Sequence, residues 1–130
     1  MQPGKIHAEQ PTILVVDDEA LVRWSLREAL TERGYRVIEA PDGRSGLARC
    51  SDEVDLVILD HRLPDTDGLS VLSRLKRRRP DLPVMLLTAF GTEELVAAAL
   101  ADGAFHVGLK PFDVAAVVER VRAGLSRTPS

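Results

Sequence analysis

Five short apolar runs, each followed by a segment with helical hydrophobic spacing, constrain this chain more than any other feature. The runs are 13–16 (ILVV), 35–39 (YRVIE), 56–59 (LVIL), 84–87 (VMLL) and 105–109 (FHVGL). Three of them are almost unbroken aliphatic stretches, as expected of strands buried on both faces of a parallel sheet. After the first run, Val22, Leu26, Ala29 and Leu30 share one helical face, and Gly34 supplies a stop. Asp42 caps a short second helix containing Leu47. Leu69, Leu72 and Leu75 stripe a third, which Pro80 ends. Thr92 caps a fourth that runs to Gly103, and Val114, Val117, Val118, Val121 and Leu125 stripe a fifth. Five strand–helix repeats predict an α/β fold: a doubly wound parallel sheet, right-handed crossovers, helices on both faces.

The 130 residues suffice for one domain and not for two comfortable ones. Residues 1–11 read as a flexible lead-in, 12–125 as the folded domain and 126–130 as a flexible tail. A hydrophobic share of 45% with 28% charged residues argues against global disorder. No apolar run approaches the roughly 20 residues that cross a bilayer, and no signal peptide is read at the start. A lone cysteine, Cys50, excludes an intramolecular disulfide framework. A net charge of −3 gives no general attraction to nucleic acid. The expectation is a cytoplasmic protein that binds neither membrane nor nucleic acid directly.

Function is signalled by position. The first run ends in Asp17-Asp18, the third in Asp60, the fourth in Thr88 and the fifth in Lys110. Ligands of open parallel sheets bind outside the carboxyl ends of the strands, where strand order reverses. If the first and third strands are neighbours there, Asp17, Asp18 and Asp60 meet in one cleft. Two like charges about 5 Å apart repel by roughly 3 kcal/mol at an effective dielectric of 20. Such a cluster calls for a cation, and an all-oxygen donor set suits Mg²⁺ (or Mn²⁺). Lys110 adds a second positive charge and Thr88 a hydroxyl. Asp60, alone at its strand end, is the candidate nucleophile for an acyl phosphate. Taken singly, each residue has an ordinary explanation: a helix cap, a turn residue before His61-Arg62-Leu63-Pro64, a strand-end hydroxyl, a surface lysine before a proline. Their recurrence at successive strand ends carries the argument.

With those residues in place, the chain resembles the receiver domain of bacterial two-component response regulators over residues 12–125. The matching segments are Ile13-Leu-Val-Val-Asp-Asp-Glu19, Asp55-Leu-Val-Ile-Leu-Asp60, Leu63-Pro64 with Gly68, Leu87-Thr-Ala89 and Leu109-Lys-Pro-Phe112. The resemblance implies a flavodoxin-like receiver fold with strand order 2-1-3-4-5 and five helices. It makes Asp60 the phosphoacceptor, fed by a sensor histidine kinase or phosphotransfer protein. Asp17 and Asp18 would serve Mg²⁺, Asp18 directly, and the main-chain carbonyl of Arg62 would complete the metal site. Thr88 would bind a phosphoryl oxygen and Lys110 would pair with the phosphate, next to a cis Lys110–Pro111 bond. Arg23-Trp24, Leu63-Pro-Asp-Thr-Asp-Gly-Leu69, Thr88-Ala-Phe-Gly91 and Gly103-Ala-Phe105 look like receivers of nitrogen-regulator-type transcriptional activators. The implied output surface is helix 4, strand 5 and helix 5, facing an output domain, a partner protein or a second copy in a homodimer.

One position departs from the family. Val107 stands three residues before Lys110, where an aromatic ring usually reports phosphorylation. Two rival functions are a magnesium-dependent phosphohydrolase with an aspartyl intermediate and an interaction module that ignores phosphorylation. The first wants an acid two residues after the nucleophile, where Arg62 stands; the second has no need of the complete set. Arg62 and Phe90, two residues after Asp60 and Thr88, flank the route of hydrolytic water. Trp24 falls roughly 200° round its helix from Val22, a candidate partner contact. Alanines 97–99 leave a smooth helical surface, the basic run 76–79 reads as a solvated helix end, His106 as a solvated histidine and Cys50 as a small core residue.

Overall fold

The computed structural model describes residues 10–126; most of the expected lead-in and tail, 1–9 and 127–130, lie outside the described residues. The elements run β1 (Thr12–Val16), α1 (Ala20–Glu32), β2 (Arg36–Ala40), α2 (Gly43–Arg49) and β3 (Leu56–Asp60). They continue with α3 (Gly68–Arg78), β4 (Val84–Thr88), α4 (Glu93–Ala101), β5 (His106–Leu109) and α5 (Val114–Ser126). All strand pairings within the sheet are parallel and its order is β2-β1-β3-β4-β5, as expected. Strand order therefore reverses between β1 and β3.

Successive side chains of a strand point to opposite faces, and the core divides accordingly. Leu14, Val16, Val57, Leu59, Val84 and Leu86 pack with Val71, Leu72 and Leu75 of α3 and Ala99 of α4. Ile13, Val15, Leu56, Ile58, Met85 and Leu87 pack with Leu26 and Leu30 of α1 and Val117, Val118 and Val121 of α5. Cys50 is buried in the first layer. Between β1 and β3, the Asp55 carboxylate accepts from the Thr12 backbone N–H at 2.8 Å.

Helix ends follow their local chemistry. Asp42, Asp67 and Thr92 accept from the backbone N–H groups of Ser45, Ser70 and Leu95, closing the first turns of α2, α3 and α4. At the other end of α1, Gly34 has φ +93°, its N–H bonding the carbonyl of Thr31 while that of Tyr35 bonds Leu30. This stop consumes the Tyr35 N–H, so β2 begins at Arg36, one residue later than the sequence pattern predicts. The basic run forms the largely exposed last turn of α3, as expected, and its side chains also bond nearby carbonyls. Lys76 Nζ donates to the carbonyls of Pro80 and Leu82 at 2.7 and 2.8 Å, and Arg78 and Arg79 donate to those of Leu47 and Ser51. These cations satisfy carbonyls of the loop after α3, of α2 near its end and of the segment that follows it. His106 is half-buried rather than solvated, lining a groove with Met85, Leu87, Ala116 and Val117. Trp24 is exposed, as its helical position predicts.

Candidate functional site

The carboxyl ends of β1, β3 and β4 and the residue after β5 meet at one rim. Asp17 leaves β1 with its side chain buried; its Oδ1 accepts from the Glu19 N–H at 2.9 Å and its Oδ2 from Lys110 Nζ at 2.9 Å. Asp18 sits exposed beside it. Asp60 ends β3, only 6% exposed, and its Oδ1 lies 3.3 Å from Lys110 Nζ. One carboxylate oxygen each from Asp17, Asp18 and Asp60 fall within 4.8 Å of one another. Lys110 also reaches Glu19 Oε1 at 3.3 Å. The Lys110–Pro111 bond is cis, and the Lys110 N–H donates to the Thr88 carbonyl at 2.7 Å.

These side chains shift one another. Burial, then the neighbouring Asp17 charge, pushes the Asp60 pKa up to about 6, against the pull of Lys110 and the Arg62 N–H. At Lys110 burial works against the charged form, but the Asp17 hydrogen bond and the Asp17 and Asp60 charges outweigh it and hold the pKa above its ordinary value. One lysine thus faces several carboxylates, and the cluster retains an excess of negative charge.

Thr88 closes β4 at the same rim and is buried. Its Oγ1 accepts from the Phe90 N–H at 2.9 Å and lies 3.1 Å from His61 Nδ1. Burial, followed by the Arg62 charge, lowers the His61 pKa. The Arg62 guanidinium stacks 4.5 Å from the Phe90 ring centroid, joining the two flanking residues singled out in the sequence.

Supporting residues were less legible. Gly68 opens α3 directly beneath the phosphoacceptor candidate: its N–H donates to the His61 carbonyl at 2.6 Å, and a Cβ there would sit 2.4 Å from the Asp60 carbonyl oxygen. Arg23 Nη1 donates to the Asp17 carbonyl at 2.7 Å while its Nε pairs with Glu39 at 3.0 Å, bracing the β1 end. Glu19, Arg23 and His61 were expected only as members of motifs. Their roles depend on which loops pack together, and no spacing along the chain records that.

Against known families, residues 13–122 match the response regulator receiver domain. This chain belongs to that family. The receiver is 44% identical over 117 residues to the response regulator MprA of Mycolicibacterium vanbaalenii, covering 89% of this chain and 51% of that one. It is 35% identical over 115 residues to the DNA-binding transcriptional regulator NtrC of Salmonella typhimurium, covering 88% of this chain and 24% of that one. A CheY-like receiver domain from Methanospirillum hungatei superposes with a TM-score of 0.87 at 28% identity, covering 92% and 96% of the two chains. The receiver spans about half the length of MprA and about a quarter of NtrC. Receivers are signalling domains of two-component systems rather than classical enzymes. Among the described residues, no helix is long and apolar enough to cross a membrane.

Proposed function

We propose that this receiver is a phosphoacceptor switch in which Asp60 takes a phosphoryl group from a histidine kinase or phosphotransfer protein. The carrying observation is the convergence of the Asp17, Asp18 and Asp60 carboxylates within 4.8 Å, with Lys110 Nζ 3.3 Å from Asp60. The donor set fits Mg²⁺ or Mn²⁺: its side-chain atoms are all carboxylate oxygens, and one lysine does not balance their charge. Asp17, Asp18 and Asp60 would hold the cation, with the Arg62 carbonyl. Asp18, exposed at the rim, is the freest to bind directly; both Asp17 oxygens already accept hydrogen bonds. When bound, the cation neutralises charge on the phosphoryl oxygens and on the carboxylates.

Asp60 attacks the phosphorus of the donor phosphohistidine; the new O–P bond forms as the P–N bond breaks and the imidazole leaves, taking up a proton. Lys110 pairs with the transferred group and Thr88 hydrogen-bonds it. Such transfer asks the protein chiefly for positioning and charge neutralisation. Water later attacks the same phosphorus, returning the Asp60 carboxylate and inorganic phosphate. The phosphoryl group biases a pre-existing equilibrium of α4, β5 and α5, the surface offered to an output domain, partner or second copy. Moving it from mostly off to mostly on takes about 5.5 kcal/mol of differential binding. Val107 carries no ring, so an aromatic swing from that position is not part of the switch. The regulated output is transcription, by analogy with NtrC.

Incubation with acetyl phosphate and Mg²⁺ followed by intact mass tests this. One phosphate adduct is expected, absent from Asp60→Asn and from samples with chelator. No adduct, or one that survives Asp60→Asn, overturns the proposal.

A further inference from the structure

The Thr88 hydroxyl has two partners in this structure, and neither is Asp60. Oγ1 accepts from the Phe90 N–H at 2.9 Å, which leaves the hydroxyl hydrogen to go elsewhere, and His61 Nδ1 stands 3.1 Å away. A neutral imidazole has one ring nitrogen that donates and one that accepts. His61 itself is placed firmly: its N–H donates to the Leu87 carbonyl at 2.8 Å and its carbonyl accepts from Gly68. The backbone of this residue, which follows the phosphoacceptor, is therefore anchored by β4 and by the start of α3, and its ring reaches Thr88 from that fixed base.

We infer that His61 is a latch on Thr88: Nδ1 accepts the threonine hydroxyl hydrogen, and that bond must break before Thr88 can donate to a phosphoryl oxygen on Asp60. His61 acts here as a positioning residue, setting how readily the receiver switches. The inference rests on the phosphoacceptor reading. It also gives a chain with Val107 in place of the usual ring a second side chain that senses the threonine.

Labelling by acetyl phosphate with saturating Mg²⁺, followed by intact mass, measures the latch. His61→Leu removes the acceptor and keeps apolar bulk. It should speed labelling by a few-fold to about tenfold, the worth of one neutral hydrogen bond. His61→Asn, whose Oδ1 accepts in place of Nδ1, should label at the wild-type rate. In a Thr88→Val background the His61→Leu gain should vanish, because the bond is already gone. Unchanged or slower labelling of His61→Leu overturns the latch, and so does a gain that persists with Thr88→Val. Ring-nitrogen NMR of the wild type under mildly alkaline conditions keeps the test open if a variant fails to fold. An unprotonated Nδ1 that changes environment on labelling is expected, and a protonated Nδ1 overturns the latch. A wild-type protein that takes no label at all sinks the phosphoacceptor reading, a different failure from a labelled wild type with an indifferent His61.

Discussion

Asp60 is kept in a setting that disfavours its own charge. Its folded pKa near 6 exceeds the ordinary 3.8, so the protonated side chain favours the metal-free fold most below about pH 3.8, and that contribution is lost as pH rises through about 6. Removing the charge should therefore help at neutral pH. In chelator at pH about 7.5, Asp60→Asn is expected to be more stable than the wild type by roughly 1–2 kcal/mol in urea unfolding, the gap closing as pH falls toward about 4. A variant equal to or weaker than wild type at neutral pH would contradict the burial and Asp17 repulsion assigned to this group. Asp17, Asp18, Asp60, Thr88 and Lys110 were legible in the sequence because each follows or ends a largely apolar run. His61 was not, since a strand-end histidine carries no mark of the hydroxyl that folding brings to it.

Element boundaries show the same division. The central strands β1, β3 and β4 announced themselves because burial on both faces leaves little but aliphatic residues. The edge strands β2 and β5 mix polar side chains with apolar ones, and β2 lost its first predicted residue to the Gly34 stop. Helix α3 starts closer to β3 than any hydrophobic stripe could indicate, because Gly68 permits the approach. Gly68→Ala should cost about 2 kcal/mol or more in stability, since the added methyl meets backbone rather than a yielding side chain. Acetyl phosphate labelling should slow as the Asp60 end of β3 shifts. At α4, Thr92→Ala removes the bond to the Leu95 N–H at 3.1 Å and should lower stability by about 1 kcal/mol, read in the same urea melts.

For the molecule as a whole, the two layers share a single sheet. Leu30 and Leu72 lie in opposite layers, each fully buried. Leu30→Ala and Leu72→Ala should each cost about 2–5 kcal/mol, and circular dichroism and fluorescence melts should coincide in one transition for either variant. Separate transitions for the two faces would mean that the sheet does not couple them. The layered α/β plan was legible from alternation alone, whereas the bonds of Lys76, Arg78 and Arg79 depend on carbonyls that only the folded chain brings near.

Lys110 touches Asp17 across 93 positions of chain, and between the strand it follows and that of Asp60 runs β4. The acidic corner forms only where β1, β3, β4 and β5 have all been paired. On the phosphoacceptor proposal, a copy that has not made these pairings lacks the means of taking the message and stays silent instead of reporting falsely.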